Sequence, residues 1–359
     1  MSAGTLHLIQ GQYCFAGKEG FALECGRRLR PVNLRYAMYG EPNAACDNVV
    51  LVCHALSGSA EVAEWWPELF EDPRLFGNDR YCVLSSNILG SCYGSTGPDS
   101  LDPETGKPYG ANFPLVTIGD MVRAQRELLA HLDIPRVKLV IGGSIGGMQA
   151  IEWAIDFPEM VEHCVAIGAV PLGAMGLALS HLQRQAIALD AQWNGGQYAK
   201  HDPPVKGLAL ARAIAMCSYK SAELFEHRFG RNPNRNGEDP WANHQARFDV
   251  AGYLDYQGRK FIERFDANAY LAITRSMDTW DPARTHGSAE AAYGRIRAHV
   301  TLVGISSDWL FPAADVRSLG EQLRAIGVDC DYHEIDSSHG HDSFLAEPEK
   351  LAVILAAHL

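Results

Sequence analysis

The stretch from Val137 to Ile155 constrains this chain more than any other. Val137-Lys138-Leu139-Val140-Ile141 has the composition of a short buried strand, and Gln149 to Ile155 has that of a helix. Only Gly142-Gly143-Ser144-Ile145-Gly146-Gly147-Met148 separates them, which leaves room for one sharp turn. Glycine on both sides of the serine suits a turn whose backbone runs close to its neighbours. A serine at such a G-x-S-x-G turn has its hydroxyl raised above a sheet, and the next backbone N–H lies at a helix N-terminus. An ordinary glycine-rich turn has the same letters, so the rest of the chain must separate the two.

The strand–helix rhythm recurs on both sides of this turn. Asn48-Val49-Val50-Leu51-Val52-Cys53-His54 is a continuous apolar run, as expected of a strand buried on both faces. Arg80 to Ser86 and Cys164 to Gly168 read as further strands, and Thr117 opens an amphipathic helix with Met121, Leu128, Leu129 and Leu132 apolar. His299 to Gly304 and Asp331 to Ile335 are late strands, followed by helices over Ala314 to Ile326 and Pro348 to Leu359. The alternation predicts an α/β fold, a doubly wound and mostly parallel sheet. Thr5 to Ile9 and Leu34 to Tyr39 suit antiparallel strands at its edge. From Asn87 to Pro114, Gly, Pro, Ser and Asp dominate without periodicity, and structureless loops of this length tend to be functional. Past Val170 the strands stop. Leu177 to Leu189, Gly207 to Tyr219, Ser221 to Phe229 and Asn268 to Met277 are helical in pattern. Residues 171–297 are therefore expected to form a helical lid, inserted into a core made of 1–170 and 298–359.

With 359 residues, 47% of them hydrophobic, the chain has enough apolar material for such a core. A net charge of −12 argues against nucleic acid or an anionic membrane as partner. No apolar run is long enough to span a bilayer, and Met1-Ser2-Ala3-Gly4 does not open a signal peptide, so a cytoplasmic location is expected. The nine cysteines form neither C-x-x-C pairs nor a regular framework, and are expected to be reduced thiols, mostly small core residues. No metal-ligand spacing occurs: His339 and His341 lie two apart without the partners that a zinc site requires.

An activated serine needs a base within hydrogen-bond reach, and the base needs a carboxylate to fix its tautomer. Where the serine sits at a strand-to-helix elbow, acid and base follow it in that order at later strand ends. Asp308, just after a late strand, is the expected acid. His339 and His341, after the last strand, are both candidate bases, and spacing does not separate them. The loop His54-Ala55-Leu56-Ser57-Gly58-Ser59 follows a central strand where a second oxyanion donor belongs. The expected donors are the backbone N–H groups of Leu56 and Ile145.

Several stretches together resemble one family. His54 to Gly58, Asn87-Ile88-Leu89-Gly90, Gly94 to Pro98, Phe113-Pro114, Thr117 to Val122, the Gly142 to Ala150 elbow and Gly340 to Leu345 look like the α/β-hydrolase-fold homoserine O-acyltransferases of methionine biosynthesis. The resemblance covers nearly the full length, including Gly207 to Ser221. It implies acyl transfer from an acyl-coenzyme A to the hydroxyl of L-homoserine, by a ping-pong route through acyl-Ser144. It implies His341 as the base, Arg212 as the grip on the substrate carboxylate, and Asp342 as the acceptor of its ammonium group. Tyr219, seven residues beyond Arg212 and so on its face of a helix, is expected to line the site. The plainer alternatives are a surface salt bridge for Arg212 and a helix N-cap for Asp342. No permanently bound cofactor is implied, and a homodimer through the lid helices is. Ile145 and Lys220 depart from the family's usual methionine and arginine.

The acyl donor turns on Leu310. Family members that use succinyl-CoA tend to carry arginine at that position, and a succinyl carboxylate against leucine would go unpaired, so acetyl-CoA is the expected co-substrate. Homoserine and serine differ by one methylene, about 1–3 kcal/mol in a pocket, which leaves serine as an alternative acceptor. An esterase or thioesterase of the same fold, and a non-catalytic binding protein, are the other readings.

Overall fold

The computed structural model describes residues 7–359. Eight strands form the main sheet: β1 (Leu8–Phe15), β2 (Val32–Tyr39), β3 (Val49–Cys53), β4 (Cys82–Ser86), β5 (Val137–Gly143), β6 (Val161–Ile167), β7 (His299–Ile305) and β8 (Cys330–Ile335). Their order is β1-β2-β4-β3-β5-β6-β7-β8. β1 pairs antiparallel with β2 and β2 with β4, while the pairs from β4 through β8 are parallel. The expected edge strands are thus present, although Thr5 and Leu6 fall outside the described residues.

The continuous apolar runs have a direct cause. Along β3, Val49, Leu51 and Cys53 enter a core on one face of the sheet, and Val50 and Val52 a second core on the other. The first face is covered by α1 (Ile118–His131) and α2 (Ile145–Asp156), through residues such as Met121, Leu128 and Trp153. Helix α1 begins at a reciprocal cap: Asp120 N–H donates to Thr117 Oγ1 at 3.1 Å, and Thr117 N–H to Asp120 Oδ2 at 2.9 Å.

Between β6 and β7 the chain leaves the sheet for a set of helices. They include α3 (Ala174–Ala188), α4 (Val205–Tyr219), α5 (Ala222–Phe229), α6 (Asp249–Ile262) and α7 (Ala267–Asp278). Helix α6 was absent from the sequence expectation. Gly252 and Gly258 interrupt its pattern, and glycine costs about 1 kcal/mol in a helix interior. Packing explains Gly258: a Cβ there would lie 3.0 Å from Ala209 Cβ and from the Ala209 carbonyl oxygen. The missing side chain lets α6 lie directly on α4.

After β7 come α8 (Ala313–Ala325) and, at the end, α9 (Pro348–Leu355), which stops four residues short of the expected Leu359. The cysteines also depart from expectation. All are free, but only Cys53, Cys82, Cys164 and Cys330 are buried, while Cys14, Cys25 and Cys217 are exposed. Their thiols are small enough to be placed at surface positions without packing consequence. Among the described residues, no helix is long and apolar enough to cross a membrane.

Candidate active site

Ser144 sits between β5 and α2 with φ 60° and ψ −127°, a conformation that side chains rarely adopt and that costs about 1–3 kcal/mol. Its neighbours hold it there. Ser144 N–H donates to Ile167 O at 2.9 Å, and Ser144 O accepts from Met148 N–H at 3.0 Å. Gly146 lies so close to the Cys53 carbonyl that no Cβ would fit. The elbow is therefore clamped between β3 and β6, and Ser144 is 6% exposed.

Asp308 lies three residues past β7 and His341 six past β8, so both reach the same sheet edge as Ser144. Asp308 Oδ2 is 2.6 Å from His341 Nδ1. Asp308 Oδ1 accepts the backbone N–H groups of Leu310 and Phe311, each at 2.9 Å, which fixes the carboxylate's orientation. Phe311, Phe344 and Tyr219 surround the imidazole, with ring centroids 5.1, 5.8 and 5.9 Å away. Burial works against a charged His341, but the Asp308 charge and hydrogen bond outweigh it, and its pKa is raised. His341 Nε2 is buried and has no hydrogen-bond partner among the described residues. His339, the other candidate base, does not touch Asp308; its Nδ1 is likewise without a partner. Gly340, at φ 74°, turns the chain between them and brings it against Tyr219 and Ser221, at the end of α4.

Ser144 and His341 open into one cavity of about 220 Å³. Leu56, Ser57, Arg212, Tyr219, Arg264, Asp342 and Phe344 also line it. Ile145 is the first residue of α2, so its N–H is one of the helix's free donors. The Leu56 loop is held by His54, which is fully buried and has its pKa pushed down to about 4 by that burial. The neutral ring donates from Nδ1 to Ala55 O at 2.8 Å and accepts Ile88 N–H at Nε2 at 3.2 Å.

Arg212 and Tyr219 share a face of α4, with the Arg212 guanidinium 5.5 Å from the Tyr219 ring centre and 4.9 Å from that of Phe261. Among the described residues Arg212 is in no ion pair, so the surface salt bridge does not form. Asp342 precedes a short helix but caps it with no side-chain bond. It pairs instead with Lys220, Nζ to Oδ2 at 2.9 Å.

Leu310 is not among the cavity-lining residues. Its side chain packs against the core, and its N–H serves Asp308. Arg264 lines the cavity and was not anticipated. It lies just past α6, the helix that the glycines concealed, and no sequence signal placed it near Ser144.

A strained serine, a histidine and a carboxylate gathered at the ends of parallel strands define an α/β-hydrolase-fold enzyme of the serine acyl-transfer class. A family model described as alpha/beta hydrolase fold matches residues 48–348. A curated relative from Symbiobacterium thermophilum, a homoserine O-acetyltransferase, is 47% identical over 336 residues, 90% of this chain and 88% of that protein. The crystal structure of homoserine O-acetyltransferase from Bacillus anthracis superposes with a TM-score of 0.90 at 26% identity, covering 98% of this chain and 97% of that one. The acetyl esterase MekB superposes with a TM-score of 0.79 at 26% identity, covering 99% and 96%. The chain belongs to the homoserine O-acetyltransferase family.

Proposed function

We propose that this enzyme transfers the acetyl group of acetyl-CoA to the hydroxyl of L-homoserine through an acetyl-Ser144 intermediate. The observation that carries this reading is the cavity. Ser144, His341 Nε2 and the Arg212 guanidinium, the last two without partners among the described residues, face one space of about 220 Å³. That volume is below the roughly 300–1,000 Å³ of sites that enclose drug-sized ligands. It suits an acetyl group and a small amino acid, and leaves most of coenzyme A outside. The acetyl donor is supported by this size and by the relatives.

His341 Nε2 takes the Ser144 proton as Oγ attacks the thioester carbon. The backbone N–H groups of Leu56 and Ile145 hold the oxyanion. The C–S bond breaks, and the coenzyme A thiolate leaves with the proton from His341. Homoserine then enters with its carboxylate on Arg212 and its ammonium on the Asp342 oxygen that Lys220 leaves free. His341 Nε2 takes the proton of its hydroxyl as that oxygen attacks the acetyl carbon; the ester bond to Ser144 Oγ breaks, and Oγ takes the proton back from His341. The helices of 171–297 act as the lid that keeps water from competing. Exposed Met175, Leu182, Leu189 and Leu210 on or beside α3 and α4 support a homodimer through this insertion; a monomeric mass in solution would contradict it.

The test is a competition assay with acetyl- and succinyl-CoA against homoserine and serine, scoring acylated amino acid against free acid. O-acetylhomoserine as the dominant product, with one acetyl added to the wild-type protein and none to Ser144→Ala, supports the reading. Free acetate as the main product would make the chain an esterase or thioesterase. No acetyl adduct on the wild type would favour a binding protein.

A further inference from the structure

Arg264 joins three parts of the molecule that are far apart in sequence. Its Nη1 donates to Ser57 O at 2.8 Å, across 207 positions, and to Tyr93 Oη at 2.5 Å. Its guanidinium also stands 5.4 Å from the centre of the Phe261 ring, whose centre lies 4.9 Å from the Arg212 guanidinium. Ser57 directly follows Leu56, the expected oxyanion donor. Tyr93 belongs to the long loop after β4 and packs edge-on against Phe265, centroids 5.7 Å apart. On the core side, His54 anchors the start of the same oxyanion loop.

We infer that Arg264 is a positioning residue: it straps the helical insertion to the oxyanion loop, so that Leu56 N–H is correctly aimed only while the insertion is seated. This rests on the acetyl-Ser144 reading above. The physical reason lies in how the loop is held. Ala55 O, on the peptide that carries Leu56 N–H, accepts His54 Nδ1–H at 2.8 Å and Gly58 N–H at 2.9 Å, and the Ser57–Gly58 peptide is held in turn through Ser57 O by Arg264. The turn from Ala55 to Gly58 closes on itself, so a shift of the Ser57–Gly58 peptide reaches Leu56 N–H through the Gly58–Ala55 bond, and an oxyanion donor that shifts loses its aim. Such a donor is worth about 10²–10³ in rate when present and well placed. Because Phe261 lies between Arg264 and Arg212, an amino acid seated on Arg212 also steadies the strap. The arrangement couples acceptor binding to the oxyanion hole and discourages loss of the acetyl group to water.

The experiment measures single-turnover acetylation of Ser144 by acetyl-CoA and by p-nitrophenyl acetate, in wild type, Arg264→Ala, Arg264→Lys and Tyr93→Phe. Thermal melting is followed alongside. p-Nitrophenyl acetate carries no phosphate, so it is blind to any contact with coenzyme A. The expected result is a fall of at least about tenfold with both donors in Arg264→Ala. Partial recovery is expected in Arg264→Lys, and a smaller fall in Tyr93→Phe. A loss confined to acetyl-CoA would overturn the inference and make Arg264 a coenzyme A contact. Lowered melting with unchanged acetylation per folded molecule would also overturn it, as a structural role only. If wild type acetylates with neither donor, the acetyl-Ser144 reading itself has failed.

Discussion

Asp308 Oδ2 lies 2.6 Å from His341 Nδ1 where both side chains are almost closed to solvent, at 0% and 3% exposure. The pair is aligned from one side only, because the opposite ring nitrogen has no partner among the described residues. The Asp308 charge and hydrogen bond prevail over the burial that disfavours imidazolium, so the raised pKa lies above the ordinary 6.5. A base works in its neutral form, so kcat/KM should fall as pH drops through that raised value. The charged pair has the opposite sign for stability: its contribution is present at low pH and is lost as pH rises through the same value. Replacing Asp308→Asn should lower kcat by on the order of 10⁴. A pH–rate midpoint in wild type at or below 6.5 would refute the assignment.

Among the described residues Arg212 has no anionic partner, and its neighbours are the Tyr219 and Phe261 rings. A substrate carboxylate would supply the missing charge. Arg212→Ala should raise the KM for homoserine about 10- to 100-fold, the range for a hydrogen bond to a charged group. Acetylation of Ser144 should change little. Arg212→Lys should recover only part, since an ammonium lacks the planar fork. Steady-state kinetics with homoserine varied checks this, and an unchanged KM would remove Arg212 from the acceptor site.

Gly146 faces the Cys53 carbonyl with no space for a Cβ. Backbone stands on both sides of the contact, so neither can yield cheaply. Gly146→Ala should therefore destabilise the protein by about 1–3 kcal/mol and lower activity further by tilting Ser144. Chemical denaturation read beside turnover tests it; wild-type values for both would show that the elbow tolerates the shift.

Glu152 ties α2 to the end of the insertion. It is 3% exposed, and its Oε2 accepts the Trp280 Nε1–H at 2.9 Å. Burial pushes its pKa up to about 7 from the ordinary 4.5. The folded state thus holds a proton that the unfolded state releases, and stability falls as pH rises between those two values. Glu152→Gln cannot ionise and should lose that slope. Melting curves should show the variant gaining on wild type up to about pH 7, with the difference constant above it. Parallel curves for the two proteins across that range would sink the idea.

Most of the sheet was legible because periodicity is a local property. The run at Val49–Cys53 is apolar throughout, and Val137–Gly143 all but at the half-buried Lys138 near its start, because each is buried on both faces, and that leaves its mark within five to seven residues. Helix α6 was not legible, since Gly258 answers to Ala209 on a neighbouring helix and Gly252 to the Asn234 side chain of a loop, rather than to their own helix. The site divides in the same way. Ser144 announced itself through its glycines, whereas Arg264 had no local mark.

The sequence by itself determined the strands, the elbow and the order in which Ser144, Asp308 and His341 follow one another, because turn chemistry and hydrophobic spacing act over a few residues. Spacing left His339 and His341 open and the family resemblance implied His341, which the tertiary structure places against Asp308; the tertiary structure alone decided that Lys220 takes Asp342 and that Arg264 reaches Ser57. Each of those outcomes depends on which segments pack together across 33 to 207 positions. Chain spacing carries no information about such distances; close packing of the core fixes them.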